Sequence, residues 1–355
     1  MSRPTRSEGV VLLVVLFFAL LLSSTVATFL KRATVDSLIA RHREQAAQAE
    51  ALAVGGIRLA EALLFEDRVM ETQNEQPAMD SNLDGWAQAQ NVDIPNIAGE
   101  LKLSIEDTGN RLNLNALFQV DETGGFVARS ESEDFLTAAL ERVIDNLKMD
   151  PGKKALYQPR ELAQNLIDWV DVDEDRGQGG PEDNYYQRQE PPYHARNLPF
   201  LSVAELRLIE GFDAPLVEVF SDYVSVYPFA PGGCGDPAIG CGINVNTAPP
   251  HVLYLLYADD GAGEQRLVDE DLVREILRVR EEGLALCPEG QSDESCRPMN
   301  EVMTNPNSVF PPPTFRSEVF VARAAAQVGD VRRSVEAVLD RSQPPQMRLL
   351  SWRIR

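Results

Sequence analysis

Hydrophobic and polar positions fall into three regimes along this chain. From Val10 to Leu30 no residue is charged and most are Val, Leu, Phe or Ala. That is about 21 residues, or about 30 Å of helix, enough to span a bilayer. A cleaved secretory signal has a shorter apolar core followed by a small-residue cleavage site, whereas this run continues through Ser23, Ser24 and Thr28, so permanent anchorage is predicted. Residues 33–65 contain no proline, and Leu52, Gly56, Leu59 or Ala60, and Leu63 recur at three-to-four-residue spacing. One helix is therefore expected to run from lipid into water, over 10–30 and then 31–70. Gly55 and Gly56 each cost it about 1 kcal/mol against alanine, and mark either close packing or a local kink.

The period then shortens to two. Leu101, Leu103 and Ile105 alternate with Lys102, Ser104 and Glu106, a half-buried strand ending at Asp107, Thr108 and Gly109. Its partners are expected far away, at 318–328 and 331–341, which meet at Gly329 and Asp330 as a hairpin and are followed by Leu350, Trp352 and Ile354. The intervening residues carry helical signals. Ser130 and Glu133 form a capping-box pattern ahead of Phe135, Leu136, Ala139, Leu140, Val143, Ile144 and Leu147. A second helix is expected from Pro159 to Trp169, and Ser202 with Glu205 opens a short one that stops at Gly211. Thr247 and Pro249 start another through Leu253 and Leu256; Asp269 to Asp271 start the last, through Leu272, Ile276 and Val279 to Gly283. The predicted fold class is α+β: a sheet domain from 71–109 and 316–355, interrupted by an all-helical insertion over 110–315. Leu112-Asn113-Leu114-Asn115 and Ile243-Asn244-Val245-Asn246 are similar phrases, suggesting repeated asparagine-capped starts.

Charge narrows the function. With 55 acidic against 33 basic side chains and a net charge of -22, nonspecific attraction to nucleic acid or anionic lipid is disfavoured. Ile243 to Pro249 and Leu206 to Phe212 resemble helix-hairpin-helix units, which often bind nucleic-acid phosphates, but Glu210 and Asp213 around the single Gly211 would repel them, so packing is the expected role and no nucleic-acid partner is expected. Cys234, Cys241, Cys287 and Cys296 fall as two adjacent pairs, the pattern of disulfide-closed loops in exported proteins; a zinc site is the rival, against which the gaps argue. Arg3 and Arg6 precede the apolar run and Lys31, Arg32, Arg41 and Arg43 follow it, so basic residues alone do not orient the chain. The cysteines and the acidic domain favour an extracytoplasmic C-terminus. Among the three histidines, His42 lies on the long helix, while His194 and His251 have no recognisable catalytic partner. No metalloprotease, serine-hydrolase, phosphate-loop or dinucleotide motif occurs, so neither an enzyme nor a small-molecule substrate is expected.

One loop has metal-ligating chemistry. Asp171, Asp173 and Asp175 alternate, Glu182 stands twelfth from Asp171, and Asp183 follows, a spacing like that of an EF-hand. Calcium takes six to eight oxygens, which alternating acids on a turning loop can supply. The sixth position is Arg176 in place of glycine, and Pro191 and Pro192 interrupt any following helix. A solvated acidic loop is the alternative, and an anchored calcium-dependent hydrolase or a nucleic-acid uptake protein are the rival functions.

The start of the chain resembles a type IV prepilin signal: Glu8 and Gly9 precede the uncharged run at Val10, which implies a leader over 1–9 cut by prepilin peptidase between Gly9 and Val10. Most members of that superfamily have Glu fifth in the mature chain, where this one has Val14. A carboxylate in lipid needs a neutralising partner, in pilins the amine of an adjacent subunit, so Val14 removes one tie to a subunit above. With Asp168 to Asp171, Glu182 to Tyr186, Asn197 to Gly211, Asn244 to Pro249 and the final hairpin, the chain resembles general secretion pathway protein K, the large minor pseudopilin of type II secretion. The resemblance implies a pilin-like helix and sheet with an inserted calcium-binding domain at the tip of a periplasmic pseudopilus, anchored once in the bacterial inner membrane. It further implies assembly with I- and J-type minor pseudopilins, and through them the H-type, and calcium ligands among Asp171, Asp173, Asp175, Glu182 and Asp183. Partner contacts are expected on the small-residue face Ala53, Gly56, Ile57 and Ala60.

Overall fold

The computed structural model of the chain describes residues 7–73, 79–89, 99–172, 183–229, 241–259, 263–291, 295–343 and 346–355. Helix α1 (Ser7–Gln73) is a single element of 67 residues, about 100 Å long. Val10 to Ile39 is exposed along its whole length, and burial begins at Ala49. From there Ala49, Ala53, Ile57, Ala60 and Leu64 are fully buried. They are spaced three or four apart and so form one stripe.

After α2 (Gly85–Gln88), the strand β1 (Glu100–Asp107) forms as its alternation requires, with Leu101, Leu103 and Ile105 inward. The insertion contains α3 (Ser132–Asp145), α4 (Pro151–Lys154), α5 (Pro159–Asp168), α6 (Asp183–Tyr186), α7 (Ala214–Phe220), α8 (Pro250–Leu253), α9 (Glu270–Glu281) and α10 (Met299–Val302). It is not all-helical. Four short strand pairs brace it: β2 (Leu112–Asn113) with β5 (Val224–Ser225), β3 (Phe118–Val120) with β4 (Phe126–Ala128), β6 (Tyr257–Asp259) with β7 (Gln265–Leu267), and β8 (Ala285–Cys287) with β9 (Cys296–Pro298). Runs of two or three residues are too short to produce a readable alternation, which is why the sequence hid them. The chain then closes with β10 (Val319–Val328), β11 (Val331–Gln343) and β12 (Gln346–Ile354).

The sheet order is β1-β10-β11-β12, antiparallel throughout, and Leu103 pairs with Ala324 across the whole insertion. Ala322, Ala324 and Ala326 of β10 face α1 and are fully buried. Small residues on both surfaces let helix and sheet approach closely. At Gly56 an added Cβ would lie 2.7 Å from the Ala324 Cβ, whereas at Gly55 nothing lies within 4 Å. Gly56 thus marks close packing, and α1 runs through both glycines without a break. Gly329 (φ +58°) makes the β10–β11 turn that Gly-Asp predicts.

The predicted helix starts hold in part. Asp269 caps α9 by accepting from Leu272 N, and Ser202 with Glu205 forms a complete capping box. The element it opens, Val203–Leu208, is 3-10 rather than α. The Ser130 box does not form, because α3 starts at Ser132, whose hydroxyl donates to the Leu117 carbonyl, while Ser130 Oγ donates to Glu131. The two asparagine phrases are repeats in space as well. Asn113 accepts from Asn115 N and Asn244 accepts from Asn246 N. Asn115 then bridges Phe200 N, Phe200 O and Val226 O, and Asn246 bridges Leu286 N and O. Asn113 also caps the short 3-10 helix Leu114–Leu117, so the predicted asparagine-capped start holds there. Both motifs brace buried backbone, and the structure does not confirm helix-hairpin-helix units.

The insertion has its own apolar core around Phe135, Leu140, Phe200, Phe220 and Ile276, separate from that between α1 and the sheet. Its attachment is directional. At the end of the sheet nearer the apolar run, Gly329 approaches Gln45 and Gly99 approaches Leu52. At the other end Arg341 reaches Leu64 O and Asp67, and Arg68 pairs with Glu318. Asp107 and Val319, where the chain leaves and rejoins the sheet, therefore lie at the pole farthest from the apolar span.

Candidate assembly interface

That distal pole is held by a buried polar joint. Asp80, fully buried, accepts from Ser317 N at 2.7 Å and pairs with Arg341. Arg341 also reaches Asp67 at 2.9 Å and lies over the Phe320 ring at 4.6 Å. Asp107 accepts from Gly109 N at 2.6 Å, from Thr247 Oγ1 at 2.5 Å and from the Asn244 amide at 3.1 Å. The same amide donates to Asp80 O and Ser317 Oγ. Glu318 is bound by both Arg68 and Arg316. One network thus fastens α1, the segment after it, the sheet and the insertion to each other.

Burial raises the Asp107 carboxyl to about 6 despite the donors around it, Ser317 among them, and raises Asp84 to about 7, aided by the charges of Asp67 and Asp80. Burial also raises Asp67, outweighing Arg341 beside it. On β1, Glu106 goes the other way: burial opposes ionisation, but the Arg323 hydrogen bond and the Arg111 charge prevail and lower it. None of Asp80, Asn244 or Arg341 was singled out from sequence for this joint. The available signal was a charged residue inside each of two apolar strand patterns, Asp107 and Arg341, which is costly unless paired.

The expected partner face is corrected. Ala53, Ile57 and Ala60 are fully buried against the chain's own sheet, and Gly56 is closed by Ala324 and Leu101. A three-to-four spacing identifies a packing stripe without saying what it packs on. The outward stripe of α1 is Ala47, Ala51, Gly55 and Ala62, all exposed. Gly9 and Val10 fall in the first turns of α1.

Cys287 and Cys296 form a disulfide that closes the β8–β9 loop, in place of the zinc alternative. Cys241 is also disulfide-bonded, and Cys234 lies outside the described residues. His251 sits edge-on to Tyr223, 4.9 Å between ring centroids.

Of the acidic-loop residues, Asp173, Asp175 and Glu182 lie outside the described residues; Asp171 follows α5 and Asp183 opens α6. The two flanks are pinned together. Trp169 packs edge-on to Tyr186 at 5.4 Å, and Val172 N donates to Phe126 O. Asn197 N donates to Trp169 O, while the buried Asn197 Oδ1 has no hydrogen-bond partner. Described flanks held together, with a surplus oxygen between them, suit a hard cation that takes oxygen ligands.

A single apolar helix, continuing as the spine of a four-stranded antiparallel sheet with a second core at its distal pole, defines a pilin-like protein with a large inserted domain. The profile of the family described as type II secretion system (T2SS), protein K matches residues 110–229. Type II secretion system protein K of Pseudomonas aeruginosa is 30% identical over 263 residues, 74% of this chain and 72% of the relative. The Klebsiella pneumoniae protein of the same name is 30% identical over 281 residues, 78% and 76% of the two chains. In fold, the chain is similar to one in the crystal structure of the GspK-GspI-GspJ complex from enterotoxigenic Escherichia coli, with a TM-score of 0.57, 18% identity, and coverage of 89% of this chain and 99% of that one. The chain belongs to the type II secretion system protein K family of minor pseudopilins.

Proposed function

We propose that this protein caps and starts the pseudopilus of a type II secretion system, supporting export of folded proteins across the outer membrane. The observation that carries the reading is the attachment of a second core to the sheet pole farthest from the membrane span. A bulky domain there occupies the space a further subunit would need, so growth can continue only below. Val14, in place of the usual Glu, removes the corresponding tie within the membrane. In this reading prepilin peptidase cuts between Gly9 and Val10, the apolar segment remains in the inner membrane, and the large domain lies in the periplasm.

The partners are I- and J-type minor pseudopilins, by analogy with the Escherichia coli complex, with the H-type joined through them. They meet α1 on Ala47, Ala51, Gly55 and Ala62, because the opposite face is filled by the sheet. Calcium, held by Asp171, Asp173, Asp175, Glu182 and Asp183, supplies charge neutralisation that ties the acidic loop across its pinned base. The test is where the subunit sits. Gold label on a tag inserted at the exposed Gly283 turn after α9 should mark one end of each isolated pseudopilus, and label along the shaft would refute the cap.

A further inference from the structure

Residues 79–89 form a strap across the distal end of α1 and the sheet. Asp80 N donates to Phe315 O, Asp80 takes Ser317 N and Arg341, and Trp86 packs edge-on to Phe320 at 5.0 Å. Asp84 folds back on the strap, accepting from Ser81 N at 2.7 Å and lying 3.2 Å from Ser81 Oγ. Carboxylate oxygens of Asp67, Asp80 and Asp84 all lie within 4.8 Å of one another. Among the described residues one guanidinium, Arg341, contacts this group, at Asp67 and Asp80, while the Arg68 charge also acts on Asp67.

The surrounding charges offer Asp84 nothing more. On α1, Arg68 is engaged with Glu318, as is Arg316 ahead of β10. On β1, Glu106 is bound by Arg111 and Arg323, and Asp107 adds a further acid. Asp340 of β11 is paired with Arg348 of β12. Among the described residues no basic side chain contacts Asp84. Three ionised carboxylates around one cation in a partly dry site repel each other, and the repulsion is relieved when one of them takes a proton.

We propose that the strap is a proton-operated clasp, closed across the distal joint when Asp84 carries a proton and loosened when it does not. The geometry allows the protonated form without rearrangement. An Asp84 Oδ1–H can donate to Ser81 Oγ while Oδ2 keeps the Ser81 N bond. Burial raises this carboxyl from 3.8 to about 7. A group raised in the folded state contributes its full stability below its unfolded value and loses it as pH rises through the folded value. The clasp is therefore tight at pH 5 and loose at pH 8. The inference rests on the joint alone and is independent of the capping role.

Hydrogen exchange of the full-length protein in detergent micelles tests it, with rates corrected for the intrinsic effect of pH and EDTA present. Amides of 79–84 are expected to exchange about tenfold more slowly at pH 5.5 than at pH 8, a modest part of what the raised carboxyl permits. Asp84→Asn, an isostere of the protonated acid, should be protected equally at both. Equal protection of the wild type at the two pH values overturns the proposal, and that arm stands if the variant fails to fold. A variant that keeps the wild-type slope also overturns it, by assigning the proton elsewhere. So does full protection at pH 8 on adding calcium, which would make a cation, not a proton, the fastener.

Discussion

Arg341 shows how one side chain can decide whether two lobes behave as a unit. It is 4% exposed, flanked by two aspartates and covered by Phe320. Arg341→Ala would leave Asp80 buried without its cation, and such losses cost about 3 to 5 kcal/mol. Urea unfolding of the full chain should show that loss, while Asp80→Asn with Arg341→Met together should cost less than the sum of the two separate changes, because both desolvation penalties vanish at once. Asn244 is a second such point. Its amide donates to Asp80, Asp107 and Ser317, acceptors contributed by three separate stretches of chain.

At the scale of elements, α1 has two faces with different duties, and adjacent glycines separate them. Gly56→Leu would drive a side chain into Ala324 and Leu101, and overpacking of this kind typically costs about 1 to 3 kcal/mol, measurable as a lower unfolding midpoint. Gly55→Arg meets open space and should leave the fold intact while sharply reducing co-purification of the I- and J-type partners; undiminished recovery would remove the outward stripe as their contact. The β8–β9 loop gives another element-scale expectation. Serine at both Cys287 and Cys296 should cost about 2 to 3 kcal/mol through the freed unfolded chain, read as a lower melting temperature in oxidising buffer only. Periodicity had supplied the extent of α1 and the sheet-forming strands, because three-to-four and two-residue spacings are local properties of the chain. It did not distinguish an intramolecular from an intermolecular partner for Ala53, Gly56, Ile57 and Ala60.

For the whole molecule, the charge distribution sets how pH and cations act. Asp84 and Asp107 are raised, so their contribution to stability falls as pH rises from about 4 toward 7, whereas Glu106 is lowered and its contribution is lost as pH falls below its ordinary range. The distal joint should therefore be firmest in mild acid, while the β1 edge held by Arg323 and Arg111 holds there and weakens only at pH below the ordinary glutamate range. The proposed calcium site is a different one. If the acidic loop holds the ion, EDTA should lower the melting temperature of the wild type and leave an Asp171→Asn, Asp173→Asn double variant nearly unchanged; equal shifts in both would count against those ligands.

The sequence by itself determined the apolar run, the long helix, the alternating strands and the separation of sheet from insertion, since each is written in spacing, composition or capping over a few residues. It also marked the asparagine phrases as repeats, although their role as braces of buried backbone appeared only in the fold. The tertiary structure decided the pairing of β1 with β10 across the whole insertion, the face of α1 that is spent internally, and the meeting of Asp67, Asp80, Asp84, Asp107, Asn244 and Arg341 at one pole. Those depend on which distant surfaces exclude water from each other, and burial of that kind leaves no periodic trace in the segments it joins.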